Sequence, residues 1–61
     1  MENSIIVNYR DGTKMEMNKV INVIWAGGNL IIQFCGIFGE IDSKTIDDIS
    51  IKDYSVNIRG N

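Results

Sequence analysis

The chain has 61 residues, room for a single domain. Twelve isoleucines and four valines stand against one leucine (Leu30) and one alanine (Ala26), with no proline, no histidine and one cysteine. A formal net charge of −2 with a hydrophobic fraction of 44% excludes a disordered chain. The β-branched apolar content excludes a helix-rich one, because it suits a pleated, half-buried surface instead.

No apolar run approaches the roughly 18 residues of a membrane span. Met1-Glu2-Asn3 lacks the basic residues that open a secretory signal, and the lone Cys35 has no disulfide partner within the chain. A cytoplasmic protein is expected. A domain this small buries only about 60% of the surface of its unfolded chain. With no disulfide framework and no zinc-ligand set to help, a partner subunit is expected to complete the core, as a homodimer or higher oligomer.

Residues 4–9, Ser-Ile-Ile-Val-Asn-Tyr, and 13–17, Thr-Lys-Met-Glu-Met, flank Arg10-Asp11-Gly12, a hairpin turn signal. A two-residue loop would pair Val7 with Glu16 and put charge opposite the apolar face. A three-residue loop with a left-handed Gly12 pairs Tyr9 with Thr13, Val7 with Met15 and Ile5 with Met17, so every apolar residue shares one face. The second arrangement is expected.

Val20–Trp25 and Leu30–Cys35 alternate around Ala26-Gly27-Gly28-Asn29. A Gly27-Gly28 turn pairs Trp25 with Leu30, Val23 with Ile32 and Ile21 with Phe34. A Gly28-Asn29 turn slides the register and keeps the faces. The opposite face then carries Val20, Asn22, Ile24, Ile31, Gln33 and Cys35. It is half apolar and is expected to be covered in part, by the rest of the chain or by a second subunit.

Residues 36–41, Gly-Ile-Phe-Gly-Glu-Ile, read as a further strand bent at its glycines. Asp42-Ser43-Lys44-Thr45 reads as a turn, and residues 45–49 as one helical turn capped by Ser43. Ser50-Ile51 and residues 54–58 close the chain as strand. The alternation slips phase at Lys52-Asp53, where a turn or bulge belongs. The tail, Arg59-Gly60-Asn61, reads as loose. The expected fold is all-β: five or six short antiparallel strands in a meander, with at most one short helical turn near 43–49. Its form is a small open barrel of SH3-like or Sm-like outline, or a sandwich completed by a dimer.

Chemistry is sparse. The absence of histidine removes the commonest general base and the commonest metal ligand. Cys35, in an apolar strand, reads as a small buried hydrophobe. Glu40, Asp42, Asp47, Asp48 and Asp53 match no calcium loop in their spacing, and Asp42, Asp47 and Asp48 read as a solvated turn beside a helical N-terminus. Gly27-Gly28 has no following lysine and helix, so it is a hairpin turn rather than a phosphate loop. Neither catalysis, a metal nor a cofactor is expected.

A pI near 4.7 opposes a large phosphate footprint, so nucleic-acid binding is not favoured. Arg10, Lys14 and Lys19 fall on the first hairpin and, with Arg59, are the candidate contacts for an anion or nucleotide. A charged strand edge that discourages aggregation explains the first three equally well. Trp25 ends its strand beside a glycine turn, and Phe38 lies between glycines that leave it uncovered. These two and Tyr54 are the candidate contacts with a partner, because aromatics are enriched at interaction hot spots. Ile24 and Ile31, on the second apolar face of their hairpin, join them.

The stretches Ile-Ile-Val-Asn-Tyr-Arg-Asp-Gly-Thr, Gly-Asn-Leu-Ile-Ile and Ile-Asp-Asp-Ile-Ser-Ile resemble those of short all-β accessory proteins of phages and prophages from low-GC bacteria. The resemblance implies a protein that binds a host factor in the bacterial cytoplasm. Some proteins of that kind occlude a defence effector, as anti-CRISPR inhibitors do. Others are oligomeric sponges that hold a nucleotide signal between subunits. An Sm-like nucleic-acid-binding accessory protein is a further reading of the same small barrel. The resemblance fixes no functional residue.

Overall fold

The computed structural model describes residues 3–58. Six strands follow one another: β1 (Asn3–Tyr9), β2 (Lys14–Asn18), β3 (Val20–Ala26), β4 (Asn29–Cys35), β5 (Ile41–Asp47) and β6 (Ile51–Ile58). A single 3-10 turn, Asp48–Ser50, joins the last two. The strands form two antiparallel sheets of three, ordered β2-β1-β6 and β3-β4-β5. The fold is thus an all-β meander, as the composition requires.

β2 and β3 are nearly one strand, bent between the sheets at Lys19. That lysine has a φ of 58°, left-handed and uncommon for a residue with a Cβ. Its carbonyl accepts from the Cys35 N–H at 3.0 Å, which ties the corner to the end of β4. The bend carries the chain from the edge of one three-stranded sheet to the edge of the other.

The first hairpin has the expected register. Val7 faces Met15 and Ile5 faces Met17. Gly12, at φ 93°, donates to the Tyr9 carbonyl, and the Tyr9 N–H donates to Thr13 at 2.8 Å, closing the three-residue loop. The second hairpin turns at Gly27-Gly28, with φ values of 60° and 77°. Two successive left-handed residues match the right-handed twist of the flanking strands, and glycine adopts them without steric cost. Trp25 faces Leu30 and Val23 faces Ile32 as expected.

The expected pairing of Ile21 with Phe34 is corrected. Val20 faces Phe34, and Ile21 is the extra residue of a bulge. The bulge swaps faces, so Val20 enters the core while Ile21 stands in solvent. The phase slip near Lys52 is likewise a bulge: Asn8 faces Asp53 and Tyr9 faces Ile51, with Lys52 unpaired between them.

The segment 36–49 needs three corrections. Residues 36–40 are a hairpin loop rather than a strand, closed by Gly36 N–H to the Glu40 carbonyl at 2.7 Å and Gly39 N–H to the Gly36 carbonyl at 3.0 Å. Asp42-Ser43-Lys44-Thr45 is not a turn but the middle of β5, held by β4 along its length. The helical turn lies later, at Asp48–Ser50; Asp47, not Ser43, precedes it, and its side chain makes no capping bond. The Ser50 hydroxyl closes this turn instead, donating to the Asp47 carbonyl at 2.8 Å.

The core lies between the inner faces. Ile5 and Val7 of β1 meet Leu30 and Ile32 of β4, with Val20, Ile46 and Ile51 around them, and all seven are buried. Tyr9, Met15, Met17 and Val23 pack against this cluster. Central strands supply the fully buried side chains because neighbours cover them on both sides within the sheet.

Candidate binding site

The residues singled out in the sequence fall in three separate places. The first is a bridge between the sheets. Trp25 shares the inner face of its sheet with Leu30 and Ile46, and Tyr54 shares the inner face of the other with Val7 and Met15. Their rings stand 5.8 Å apart at 55°, and the Trp25 indole N–H donates to the Tyr54 hydroxyl at 3.0 Å. Trp25 stays 49% exposed, so the pair forms a half-covered rim to the core. The polar end of each ring finds its partner in the other.

The second place is the outer face of β3-β4-β5, where Ile24, Ile31 and Thr45 form one cross-strand row. Ile31 is half-buried and Ile24 exposed. Further along the same face Cys35 faces Ile41. Cys35 lies on this outer face as expected, half-buried rather than fully buried.

The third place is the tip of the β4–β5 hairpin. Ile37 and Phe38 are each 88% exposed, the largest exposures among the apolar side chains described. Ile41, at the base of the tip, is exposed as well. The loop is nevertheless well tied. The Glu40 carboxylate accepts from the Phe38 N–H at 3.0 Å, in addition to the two backbone bonds that close the loop. Gly36 makes room for this carboxylate: a Cβ there would fall on it. Phe38 and Trp25 sit toward opposite ends of the sheet, because Trp25 lies beside Leu30 and the tip extends beyond Cys35. The candidate partner contacts therefore do not form one patch.

Nor do the candidate anion contacts. Arg10 lies in the first turn and Lys14 opens β2, whereas Lys19 follows its last residue. Five residue steps, at about 3.4 Å each, separate Lys14 from Lys19. Arg59 lies outside the described residues. Lys14 shares an outer-face row with Asn8 and Asp53, where the Asn8 amide donates to Asp53 at 2.7 Å.

Asp11 lies in the turn between β1 and β2. The Thr13 hydroxyl donates to it at 2.6 Å and the Thr13 N–H at 2.9 Å, and these bonds hold its pKa below the ordinary value. This is turn chemistry, which satisfies the loop. Among the described residues, no three histidine, cysteine, aspartate or glutamate side chains cluster as metal ligands. No helix among them is long and apolar enough to cross a membrane.

Sequence reasoning picked out Phe38 from its glycine neighbours but not Ile37 or Glu40. The signal for Glu40 was available in principle: a glycine four residues earlier leaves space for a side chain that folds back. The fold and these surfaces define a small all-β domain with an apolar hairpin tip. No family model, curated protein or solved structure matches the chain.

Proposed function

We propose that this chain is a non-catalytic binding protein that docks on another protein through the tip of its β4–β5 hairpin. The observation that carries the reading is the pair Ile37 and Phe38, both 88% exposed on a loop fixed by Glu40. Apolar side chains left in water are costly unless something covers them, and two adjacent ones on a projecting tip fit an apolar pocket. The tied loop favours affinity, since little conformational freedom remains to be lost on docking.

The resemblance to phage accessory proteins supplies the particular form of the proposal. The chain acts in a bacterial host by occluding the surface of a defence protein, as a phage-encoded inhibitor. Occlusion needs a rigid surface and no catalytic group, in keeping with a chain that has no histidine.

The test is direct binding of the purified chain to purified defence effectors whose systems it suppresses in cells. A stable complex that Phe38→Ser weakens by at least about tenfold is expected, the usual loss for an aromatic hot spot. Absence of a complex with every component of those systems would overturn the inhibitor reading. Unchanged binding by a folded Phe38→Ser variant would overturn the choice of the tip.

A further inference from the structure

The two sheets have four edge strands, and three of them are protected against pairing with another chain. β2 carries Lys14 and Glu16 on its outer face. β5 turns Asp42 and Lys44 toward the inner side, opposite Phe34 and Ile32. β3 is interrupted by the bulge at Ile21, and beyond it the inner-face side chains Val23 and Trp25 are already engaged, with the core and with Tyr54. Charges, inward-pointing polar groups and bulges are the ordinary means by which a sheet edge avoids an unwanted partner.

The fourth edge differs. β6 has its bulge and its two charges, Lys52 and Asp53, at its beginning. From Tyr54 to Ile58 it reads Tyr-Ser-Val-Asn-Ile, with no charge, no proline and no register shift against β1. Tyr54, Val56 and Ile58 lie on one side and Ser55 and Asn57 on the other. Val56 and Ile58 sit on the inner side, since Val56 faces the buried Ile5, yet both are exposed, Ile58 to 77%. The apolar face of the sheet thus runs past the core to an unpaired edge.

We propose that β6 pairs with β6 of a second copy of this chain, antiparallel about a two-fold axis at Val56. The occupant follows from the self-complementary order of the segment. Centred on Val56, the pairing sets Tyr54 of each copy opposite Ile58 of the other, and Val56 opposite Val56. On the other face it sets Ser55 opposite Asn57. The three apolar pairs cover the exposed inner-face side chains, while the two polar pairs remain in water and can hydrogen-bond. Aromatic with β-branched and β-branched with β-branched are favourable cross-strand pairs. The product is one six-stranded sheet, β2-β1-β6-β6-β1-β2, with both new edges carrying the lysine and glutamate of β2. Two such strands bury on the order of 1,000 Å² in total, at the lower end of specific interfaces, so a micromolar Kd is expected. The pairing uses neither Ile37 nor Phe38 and stands apart from the docking role of the tip.

Sedimentation equilibrium tests it through the two-fold. The chain is expected to be a dimer at about 100 µM, well above such a Kd. Val56→Lys and Val56→Glu each place like charges opposite one another and should each raise Kd by at least about tenfold. An equimolar mixture of the two should dimerise again, because lysine then faces glutamate. Circular dichroism checks that each variant is folded. Should either prove unfolded, Ile58→Asp, at a more exposed position, sets a carboxylate against the Tyr54 ring and should weaken the dimer without touching the core. A wild-type chain that stays monomeric at that concentration overturns the proposal. So does dimerisation that survives a charge at Val56 or Ile58, or a mixture that fails to recover it when the separate variants fold.

Discussion

Trp25 and Tyr54 stand 29 positions apart in sequence, and the indole of the first donates a 3.0 Å hydrogen bond to the hydroxyl of the second. One residue belongs to an edge of each sheet, so the bond holds the sheets together where the core is open. The pair is tilted, with ring centres 5.8 Å apart, within the favourable range for aromatic contacts. A double-mutant cycle with Trp25→Phe and Tyr54→Phe should report a coupling of about 0.5–1.5 kcal/mol in urea unfolding. Strict additivity would mean that the bond contributes nothing to stability.

Leu30 is fully buried at the centre of the core, on the middle strand of its sheet. Leu30→Ala should cost about 2–5 kcal/mol, from lost transfer energy and the cavity left behind. A chain of this length has a total stability of roughly 3–9 kcal/mol. The variant should therefore be largely unfolded at 37 °C by circular dichroism, whereas Ile49→Ala, at an exposed position of the 3-10 turn, should melt close to the wild type.

Asp11 gives the first turn a pH-dependent contribution to stability. Its folded pKa is lowered, first by the Thr13 hydroxyl and then by the Thr13 N–H. A depressed carboxylate stabilises the fold above its unfolded pKa, and that contribution disappears as pH falls through the lower folded value. Melting temperature should thus fall more steeply on acidification in the wild type than in Asp11→Ala. The gap between the two should be widest near neutrality and shrink in the acid range below the usual aspartate pKa. An unchanged gap across that range would show that the carboxylate's charge plays no part in the turn.

Gly36→Ala separates the geometry of the tip from its chemistry. The added Cβ meets only the end of a flexible glutamate, so the fold should survive with little change in melting temperature. Glu40 must move, however, and Phe38 then loses its backbone hydrogen bond. Amide exchange at Phe38 should accelerate, and partner binding should weaken by a few-fold through the added ordering cost. Exchange at Leu30 should stay as in the wild type.

The parts of the fold readable in the sequence were those where face and turn agreed. The Gly12 loop is legible because only the three-residue length sets Val7 opposite Met15 rather than Glu16. Lys52 showed itself by a break in phase. The Ile21 bulge left no such mark: Val20, Ile21, Val23 and Ile24 are all apolar, so either face could be read as inner. β5 reads as a turn in the sequence because an edge strand in solvent needs few apolar residues, and only Ile46 of its seven is buried. The tip reads as strand for the opposite reason, since Ile37 and Phe38 have the composition of a strand while Gly39, at φ 81°, turns the chain. The individual aromatics could be singled out, but the contact of Trp25 with Tyr54 depends on how the sheets meet, which no local pattern encodes.

Most neighbouring strands in this molecule are also neighbours along the chain, but β1 pairs with β6. That pairing sets the order of assembly. The hairpins close loops of a few residues and can form early, whereas β1 and β6 must find each other across nearly the whole polypeptide. Joining Asn3 to Ile58 is then the slow event in folding, and until it happens Ile5 and Val7 lack one of their two neighbours. A nascent or partly unfolded chain consequently exposes Ile5 and Val7, two of the four fully buried side chains of the domain, and the time spent in that state governs how readily it aggregates.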